Sequence, residues 1–320
     1  MTPPSSIAAE FTAPHVVVES GLSSSVASWA TDISRLTRPR IAVMVLATVI
    51  TAMWLTAGRP DSLGALAVLL LGTALVTASS SIANQILERD TDRRMPRTAS
   101  RPIVTGRLTV GSAWMIAAVL LVAGSVVSWT AYGWQPAAAA SATWFLYVAL
   151  YTPLKRITPL NTAVGAVAGA MPVVIGWLAA DGPQRLAAGD ARGALAAAAL
   201  ATVLYLWQFP HFMAIAWLYR SQYAAAGLRM LTVVDPTGLR AAGQSLAAAL
   251  AMIPAGLVLA VPSGSIRLFL AAAVAGIVYL LATVQFAIRR DETSARILLL
   301  TSLGSLLGLL TAAVVFGKPV

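Results

Sequence analysis

The sequence predicts an all-α membrane protein, a polytopic bundle of about nine transmembrane helices. Of its 320 residues, 58% are hydrophobic and only 11% are charged, a balance typical of chains that cross a bilayer repeatedly. The mean hydropathy of +0.79 agrees with this. Apolar stretches of roughly 17 to 25 residues, the length that spans a bilayer as a helix, recur along almost the whole chain. The composition excludes a soluble globular core.

The sequence divides into an N-terminal segment and a transmembrane domain. Residues 1–23 are rich in Ser, Pro and Ala without periodicity, which predicts a disordered tail. Val26, Trp29, Ile33 and Leu36 then recur at helical spacing beside basic residues, so 24–40 is predicted to be an amphipathic interfacial helix, a plain lead-in being the alternative. The transmembrane domain is predicted over 41–316, with spans at 41–57, 63–83, 109–132, 135–151, 160–180, 194–217, 243–262, 267–288 and 295–316.

The distribution of basic residues predicts the orientation. If the N-terminus is cytoplasmic, 17 of the 22 Lys and Arg residues lie on cytoplasmic segments and 5 on the other side, in agreement with the positive-inside rule. The C-terminus is then expected on the opposite side. Residues 1–31 contain no Lys or Arg, unlike a signal peptide or a mitochondrial transit peptide. The expected location is a bacterial plasma (inner) membrane.

Charge and cysteine content exclude other classes of function. The net charge of +10 is spread over short juxtamembrane loops, whereas a nucleic-acid site would mass it on one soluble face. No nucleic-acid partner is expected, and the lipid bilayer is the expected surrounding. The chain has no cysteine, which excludes disulfides, thiolate metal sites and thiolate ligation of haem.

A cluster of carboxylates follows the second predicted span. Asn84, Glu88 and Asp92 are spaced i, i+4, i+8, so a continuing helix would place them on one face. Two carboxylates and an amide oxygen suit Mg²⁺, which proteins bind together with substrate phosphates. Six arginines that accompany the cluster could contact such phosphates: Arg89, Arg93, Arg94, Arg97, Arg101 and Arg107. The pattern favours a diphosphate site, and a solvated loop carrying topological charge is the alternative.

These residues and several later segments resemble the UbiA-type membrane prenyltransferases, in the form that uses haem as acceptor. The similarity covers about 35–245, and its segments are specific only in combination. They are the cluster itself with Met95 to Pro102, Leu36-Thr-Arg-Pro39-Arg40, Tyr151-Thr-Pro-Leu-Lys155-Arg156-Ile-Thr158, Asn161 to Trp177, and Trp207-Gln208-Phe-Pro210-His211 through Met230-Leu231. The resemblance implies a helical bundle around a central cavity.

Two positions depart from the family pattern. Glu88 stands where the family usually has the first aspartate, which keeps the carboxylate and lengthens its reach. Ser221 and Gln222 stand where relatives commonly carry acids, so a second acid-rich metal site is in doubt. Asp235, the only carboxylate of that loop, is a weaker candidate for a metal ligand.

The resemblance implies farnesyl diphosphate as donor, haem b as acceptor and Mg²⁺ as cofactor. Arg97, Arg101, Lys155 and Arg156 are expected to neutralise the diphosphate, with Lys155 counted as catalytic beside the metal ligands. His211 is expected to contact the haem iron or a propionate, or to be an ordinary buried histidine. Three aromatic residues are expected to line the cavity and stabilise a farnesyl cation: Trp207, Tyr219 and Tyr223.

The expected function is transfer of a farnesyl group to a haem b vinyl group with addition of water. The product would serve a terminal oxidase, and haem A synthase or oxidase assembly factors would be partners. One alternative is a prenyltransferase of the same family that acts on an aromatic or quinone precursor. Another is a non-enzymatic transporter whose cytoplasmic charges are only topological.

Overall fold

The computed structural model describes residues 21–58 and 62–317, and within them every regular element is a helix. This described part of the chain has fifteen α-helices and one π-helical turn. In chain order they are α1 (Gly21–Thr37), α2 (Pro39–Ala57), α3 (Leu63–Leu87), α4 (Arg89–Arg93), α5 (Val110–Tyr132), α6 (Trp134–Phe145), the π-turn (Leu146–Tyr151), α7 (Thr152–Ile157), α8 (Asn161–Ala179), α9 (Gly182–Ala187), α10 (Arg192–Leu218), α11 (Arg220–Ala225), α12 (Leu231–Val234), α13 (Leu239–Val258), α14 (Ile266–Arg289) and α15 (Glu292–Phe316).

The predicted fold class is confirmed: the described residues contain nine helical segments that are long and apolar enough to cross a membrane. Eight are single helices, namely α2, α3, α5, α8, α10, α13, α14 and α15. The fourth span, Trp134–Ile157, is composite, because the π-turn separates α6 from α7. π-turns inside helices are rare and occur frequently at functional sites.

The N-terminal helix differs from its predicted bounds. It begins at Gly21, inside the segment 1–23 predicted as a tail, because Gly21, Leu22 and the serines before Val26 continue the helix. It ends at Thr37, and the interfacial helix therefore does not reach residue 40. Pro39 disfavours the right-handed α conformation at Arg38. Arg38 has a left-handed backbone instead, with φ +51°, and Pro39 then begins α2. The rest of the predicted tail, 1–20, lies outside the described residues.

The seventh span begins four residues before its predicted start, at Leu239. Gly238, with φ +74°, makes the turn into α13, a conformation that glycine adopts without strain. Ala241 and Ala242 are already buried. The apolar face therefore starts before the run on which the prediction rested.

Helix α10 lies at the centre of the bundle and packs against α2, α8, α13 and α15. Its buried face carries Leu200, Val203, Trp207 and Met213 in the largest apolar cluster. A small residue allows close approach to α8: a Cβ added to Gly169 would lie 2.1 Å from Oε1 of Gln208. Helices α3 and α5 form a second close pair.

Helix α1 is hydrogen-bonded to the segment between α4 and α5 and to α3. Arg107 donates two hydrogen bonds of 2.8 Å to the carboxylate of Asp32, and Gln85 Nε2 donates to the carbonyl of Leu36 at 2.9 Å. Trp29 and Ile33 remain exposed, as expected for a helix at a membrane interface. That location stays a prediction.

Candidate active site

Asn84, Glu88 and Asp92 form the start of the site at the end of α3. Asn84 lies in the last turn, Glu88 follows the helix, and Asp92 lies in α4. The amide of Glu88 donates to the carbonyl of Asn84 at 2.9 Å, and the amide of Asp92 donates to the carbonyl of Glu88 at 2.7 Å. The helical i, i+4 bonds thus continue across the junction, and all three side chains are buried.

Glu88 is paired with a cation from the fourth span. Lys155 Nζ donates to Glu88 Oε1 at 2.6 Å and lies 4.3 Å from the ring centroid of Tyr151. Burial alone would raise the pKa of Glu88, but the ammonium of Lys155, assisted by Arg38 and Arg101, outweighs it, so the pKa lies below its ordinary value. Glu88 is therefore ionised at neutral pH.

Asp92 is paired with Arg101, and the hydroxyl of Thr98 donates to its backbone carbonyl at 2.9 Å. Burial raises the pKa of the Asp92 carboxyl, and the neighbouring charge of Glu88 adds to the rise. Arg101 opposes both effects without cancelling them. The pKa of Glu88 is thus lowered from its ordinary value, and the pKa of Asp92 is raised.

Two oxygens of the cluster are free for a metal ion. Asn84 Oδ1 and Asp92 Oδ1 are buried and have no hydrogen-bond partner among the described residues. Such oxygens are costly in a protein interior unless something binds them. The described part of the chain contains no group of three His, Asp or Glu residues arranged for a metal. A set of two carboxylates and one amide oxygen fits Mg²⁺, whose remaining positions are taken by phosphate and water.

Asp235, the weaker candidate for a metal ligand, has a local structural contact. Its carboxylate accepts from the backbone amides of Thr237 at 3.2 Å and Arg240 at 2.8 Å, at the beginning of α13. The Thr237 hydroxyl and these amides hold the pKa of Asp235 below its ordinary value. Its described contacts are those of a turn.

Three further predicted residues lie where α10 ends. The guanidinium of Arg97 lies 4.5 Å from the ring centroid of Tyr219, and that ring lies 6.5 Å from the ring of Tyr223. The loop after α4 therefore meets the loop after α10.

Arg156, another predicted site residue, is exposed and donates to the carbonyl of Leu87 at 3.0 Å. This contact lies at the C-terminus of α3, where a cation is favoured.

His211 lies in α10, where its ring stacks on Trp207 with centroids 4.5 Å apart. Its Nδ1 lies 2.7 Å from Ser302 Oγ, and Ser302 donates its hydroxyl to the carbonyl of Leu299 at 2.6 Å. A serine has one hydrogen to donate, so Ser302 Oγ accepts a hydrogen bond from the N–H at Nδ1 of the imidazole. The lone pair of His211 is therefore on Nε2, where it is available to a ligand.

Two residues of this site were not predicted from the sequence. Ser302 is 91 residues from His211, and it also accepts the indole N–H of Trp207 on its backbone carbonyl at 2.7 Å. Thr152 is 68 residues from Asn84 and bonds to it at 3.0 Å. Single hydroxyl residues in apolar helices are common, so neither position carries a local signal.

The chain is similar to membrane prenyltransferases in sequence. The UbiA prenyltransferase family matches residues 45–315. A protein from Rhodopirellula baltica named protoheme IX farnesyltransferase is 45% identical over 225 residues, which cover 70% of this chain and 76% of that protein. One of the same name from Solibacter usitatus is 38% identical over 281 residues, covering 85% of this chain and 93% of that protein.

Solved structures share the fold. A digeranylgeranylglyceryl phosphate synthase superimposes with a TM-score of 0.73 at 13% identity, covering 90% of this chain and 98% of that one. A UbiA homolog from Archaeoglobus fulgidus, bound to GPP and Mg²⁺, superimposes with a TM-score of 0.62 at 17% identity, covering 88% and 99%. At these identities the similarity establishes the fold alone.

Proposed function

Since the chain belongs to the UbiA prenyltransferase family, we propose that it transfers a farnesyl group from farnesyl diphosphate to a vinyl group of haem b. The observation that carries the proposal is the 38% identity to a protoheme IX farnesyltransferase over 85% of this chain. An alignment of that extent must include both the Asn84–Asp92 cluster and His211. Haem b is thus the acceptor that the sequence relatives support.

The donor half of the site is the cluster at the end of α3. Asn84, Glu88 and Asp92 would hold Mg²⁺, supported by the unpartnered oxygens of Asn84 and Asp92. When bound, Mg²⁺ neutralises the diphosphate oxygens and makes the diphosphate a better leaving group.

Four basic residues of the chain act on the same diphosphate. Lys155 and Arg101 are held by the two carboxylates of the cluster, so they are already positioned when the donor binds. Arg97 and Arg156 supply charge from the rim, where they are exposed. Cations positioned before the reaction stabilise the charge that develops on the leaving group without further reorganisation.

The acceptor half is built on α10. His211 would present the Nε2 lone pair to haem iron. Contact with a propionate would require a proton on Nε2 as well. Trp207, Tyr219 and Tyr223 provide aromatic faces, which stabilise a nearby cation by roughly 0.5–2 kcal/mol each. As the bond from C1 of the donor to the diphosphate oxygen breaks, the vinyl group bonds to C1. Water then adds to the haem-side cation and releases a proton, leaving a hydroxyl group.

The protein is a multi-pass membrane protein with nine candidate spans in its described part. We place it in a bacterial plasma membrane with the acidic cluster facing the cytoplasm, on the basis of the charge distribution. The product, haem O, would pass to haem A synthase or to a terminal oxidase and its assembly factors.

The test is extraction of haems from a bacterium that lacks haem O formation and carries this gene. Chromatography and mass spectrometry should find haem O in that strain, and only haem b when Asp92→Asn is expressed at the same level. Haem b alone with the wild-type gene, at confirmed membrane expression, would overturn the proposal. A farnesylated aromatic or quinone product in the same extract would identify a different acceptor.

A further inference from the structure

Thr152 is the first residue after the π-turn of the fourth span, and its side chain is buried against α3. Its hydroxyl contacts two groups. Oγ1 lies 2.8 Å from the carbonyl oxygen of Tyr147, five residues earlier, which is the spacing of a π-turn. Oγ1 also lies 3.0 Å from Nδ2 of Asn84.

The hydrogen count of this contact determines how the Asn84 amide is oriented. A threonine hydroxyl has one hydrogen, and the carbonyl of Tyr147 can only accept, so the hydrogen lies between Thr152 and Tyr147. Toward Asn84, Oγ1 can therefore only accept. Asn84 must turn its NH₂ group to Thr152, which leaves Oδ1 directed away from Thr152, buried and without a partner.

From this geometry we infer that Thr152 is a positioning residue, which makes Asn84 present its oxygen rather than its NH₂ group to the metal. The inference rests on the metal and diphosphate site of the proposed function. A cation binds an amide through oxygen, so an amide turned by 180° would present two N–H groups to it. Residues that orient metal ligands in this way commonly change metal affinity by 10–100-fold when replaced.

The π-turn determines where the Thr152 hydroxyl lies relative to Asn84. Thr152 contacts Asn84 in the last turn of α3, and Lys155, one turn after Thr152, contacts Glu88, which directly follows α3. In an α-helix, the Thr152 hydroxyl would lie near the carbonyl of Val148, four residues back. The five-residue spacing instead sends it to Tyr147. One irregular turn thus aims two side chains at two successive residues of the cluster.

The test is Mn²⁺ binding, measured by electron paramagnetic resonance on the purified full chain in lipid nanodiscs with a non-cleavable farnesyl thiodiphosphate. Thr152→Val keeps the shape and removes the hydroxyl, and its Mn²⁺ affinity should fall by about 10–100-fold. Thr152→Ser retains the hydroxyl and should stay within about threefold of wild type.

Thr283→Val is the matched control. Thr283 is also buried in a span and also donates to a carbonyl of its own helix, that of Tyr279 at 2.8 Å. It lies in α14, away from the cluster, so its replacement should leave Mn²⁺ affinity unchanged. Thermal unfolding of each variant shows how much of any loss comes from the fold.

A second variant separates orientation from simple attachment of the helices. Asn84→Asp has oxygen at both positions, so it has no wrong orientation. Adding Thr152→Val to it should leave Mn²⁺ affinity close to that of Asn84→Asp alone. If Thr152 only tied α7 to α3, Asn84→Asp would itself lose Mn²⁺ as severely as Thr152→Val.

The outcomes separate this inference from the function on which it rests. Thr152→Val with wild-type Mn²⁺ affinity would overturn the positioning role and leave the proposed function intact. A wild-type protein that binds no Mn²⁺ with the thiodiphosphate would overturn the metal site and the inference with it. Haem O formation in cells is measured independently of both.

Discussion

Lys155 Nζ lies 2.6 Å from Glu88 Oε1, and this pair joins the end of the fourth span to the end of the second. The side chains are only 13% and 11% exposed. Two buried charges offset each other's loss of hydration, and removal of one leaves the other uncompensated. The pair therefore fixes the position of Lys155, for which phosphate binding is proposed, and also contributes to the packing of α7 on α3.

Replacing one partner of this pair should destabilise the protein more than replacing both. Lys155→Met and Glu88→Gln should each cost about 3–5 kcal/mol, and the double variant should recover most of that loss without regaining turnover. Thermal unfolding in detergent, together with a farnesyl transfer assay, measures both effects. A single Lys155→Met variant as stable as the wild type would contradict a structural role for the pair.

The proposed metal ligands Glu88 and Asp92 should be distinguishable from their neighbour Asp90 by mutation. Glu88→Gln and Asp92→Asn should lower turnover at least about 100-fold, since each removes a charge that holds Mg²⁺, while membrane insertion is retained. Asp90→Asn is the matched control, because Asp90 belongs to the same run but is exposed, and it should stay near wild type. Glu88→Asp should be milder than Glu88→Gln. Near-normal activity in both Glu88→Gln and Asp92→Asn would rule out the metal assignment.

The fall of kcat/KM at low pH, the acid limb of the pH profile, should result from protonation of Asp92. Its pKa lies above the ordinary value, whereas that of Glu88 lies below, so Asp92 takes up a proton first as the pH falls. Arg101 lowers the pKa of Asp92, so Arg101→Gln should move the acid limb to higher pH. Arg107→Gln should not, because Arg107 pairs with Asp32. A pH profile of kcat/KM for the three proteins checks this, and an unmoved limb in Arg101→Gln would assign it to another group.

The lowered pKa of Glu88 and the raised pKa of Asp92 have opposite consequences for the pH dependence of stability. Glu88 contributes stability above its unfolded pKa, and this is lost as the pH falls through its lowered folded pKa. Asp92 favours the folded state when protonated, and that contribution is lost as the pH rises through its raised folded pKa. The change at Glu88 falls in the acid range, below its ordinary pKa.

His211 should be needed for the acceptor and dispensable for the donor. His211→Ala should abolish the change in the haem Soret band seen on binding to wild type, and leave retention of farnesyl diphosphate with Mg²⁺ within about threefold, since the donor cluster lies elsewhere. Ser302→Ala removes the hydroxyl that keeps the hydrogen of the His211 ring on Nδ1, so it should weaken haem binding about tenfold.

Ser245→Ala is the control for Ser302→Ala, because Ser245 is buried and bonds to the carbonyl of Ala241. It should bind haem as the wild type does. A His211→Ala protein with an unchanged Soret band and normal product yield would exclude any contact of His211 with haem.

Orientation in the membrane can be tested with accessible tags. Tags in the 84–107 and 220–240 loops should face the cytoplasm, and a tag after Val320 should face the other side. With a cytoplasmic N-terminus, the nine candidate spans of the described residues would put 17 of the 22 basic residues on the cytoplasmic side. Labelling with a membrane-impermeant reagent reads out each position. A cytoplasmic C-terminus would require an even number of spans.

The sequence was sufficient for what depends on local pattern. Long apolar runs predicted all nine candidate spans found among the described residues, because length and hydropathy determine which segments can cross a bilayer. The i, i+4 spacing predicted the register of Asn84, Glu88 and Asp92. The early end of α1 had a local sign too, since Pro39 restricts Arg38.

The partners of these residues depend on tertiary packing. Lys155 is 67 residues from Glu88, and Ser302 is 91 residues from His211. Which face of one helix meets which face of another depends on the whole bundle, so these pairs have no local pattern. The π-turn likewise has no marker in the residues Leu146–Tyr151.

The π-turn holds one residue more than an α-helical turn would, since its bonds join residues five apart. Deleting one residue from 148–151 would leave Tyr147 four residues before Thr152, the spacing of an α-helix, with Thr152 and Lys155 still facing α3. A residue deleted from α6 would instead shift everything after it by about 1.5 Å and rotate it by about 100°. The irregular turn is thus a place where the length of this span can change by one residue while both contacts are retained.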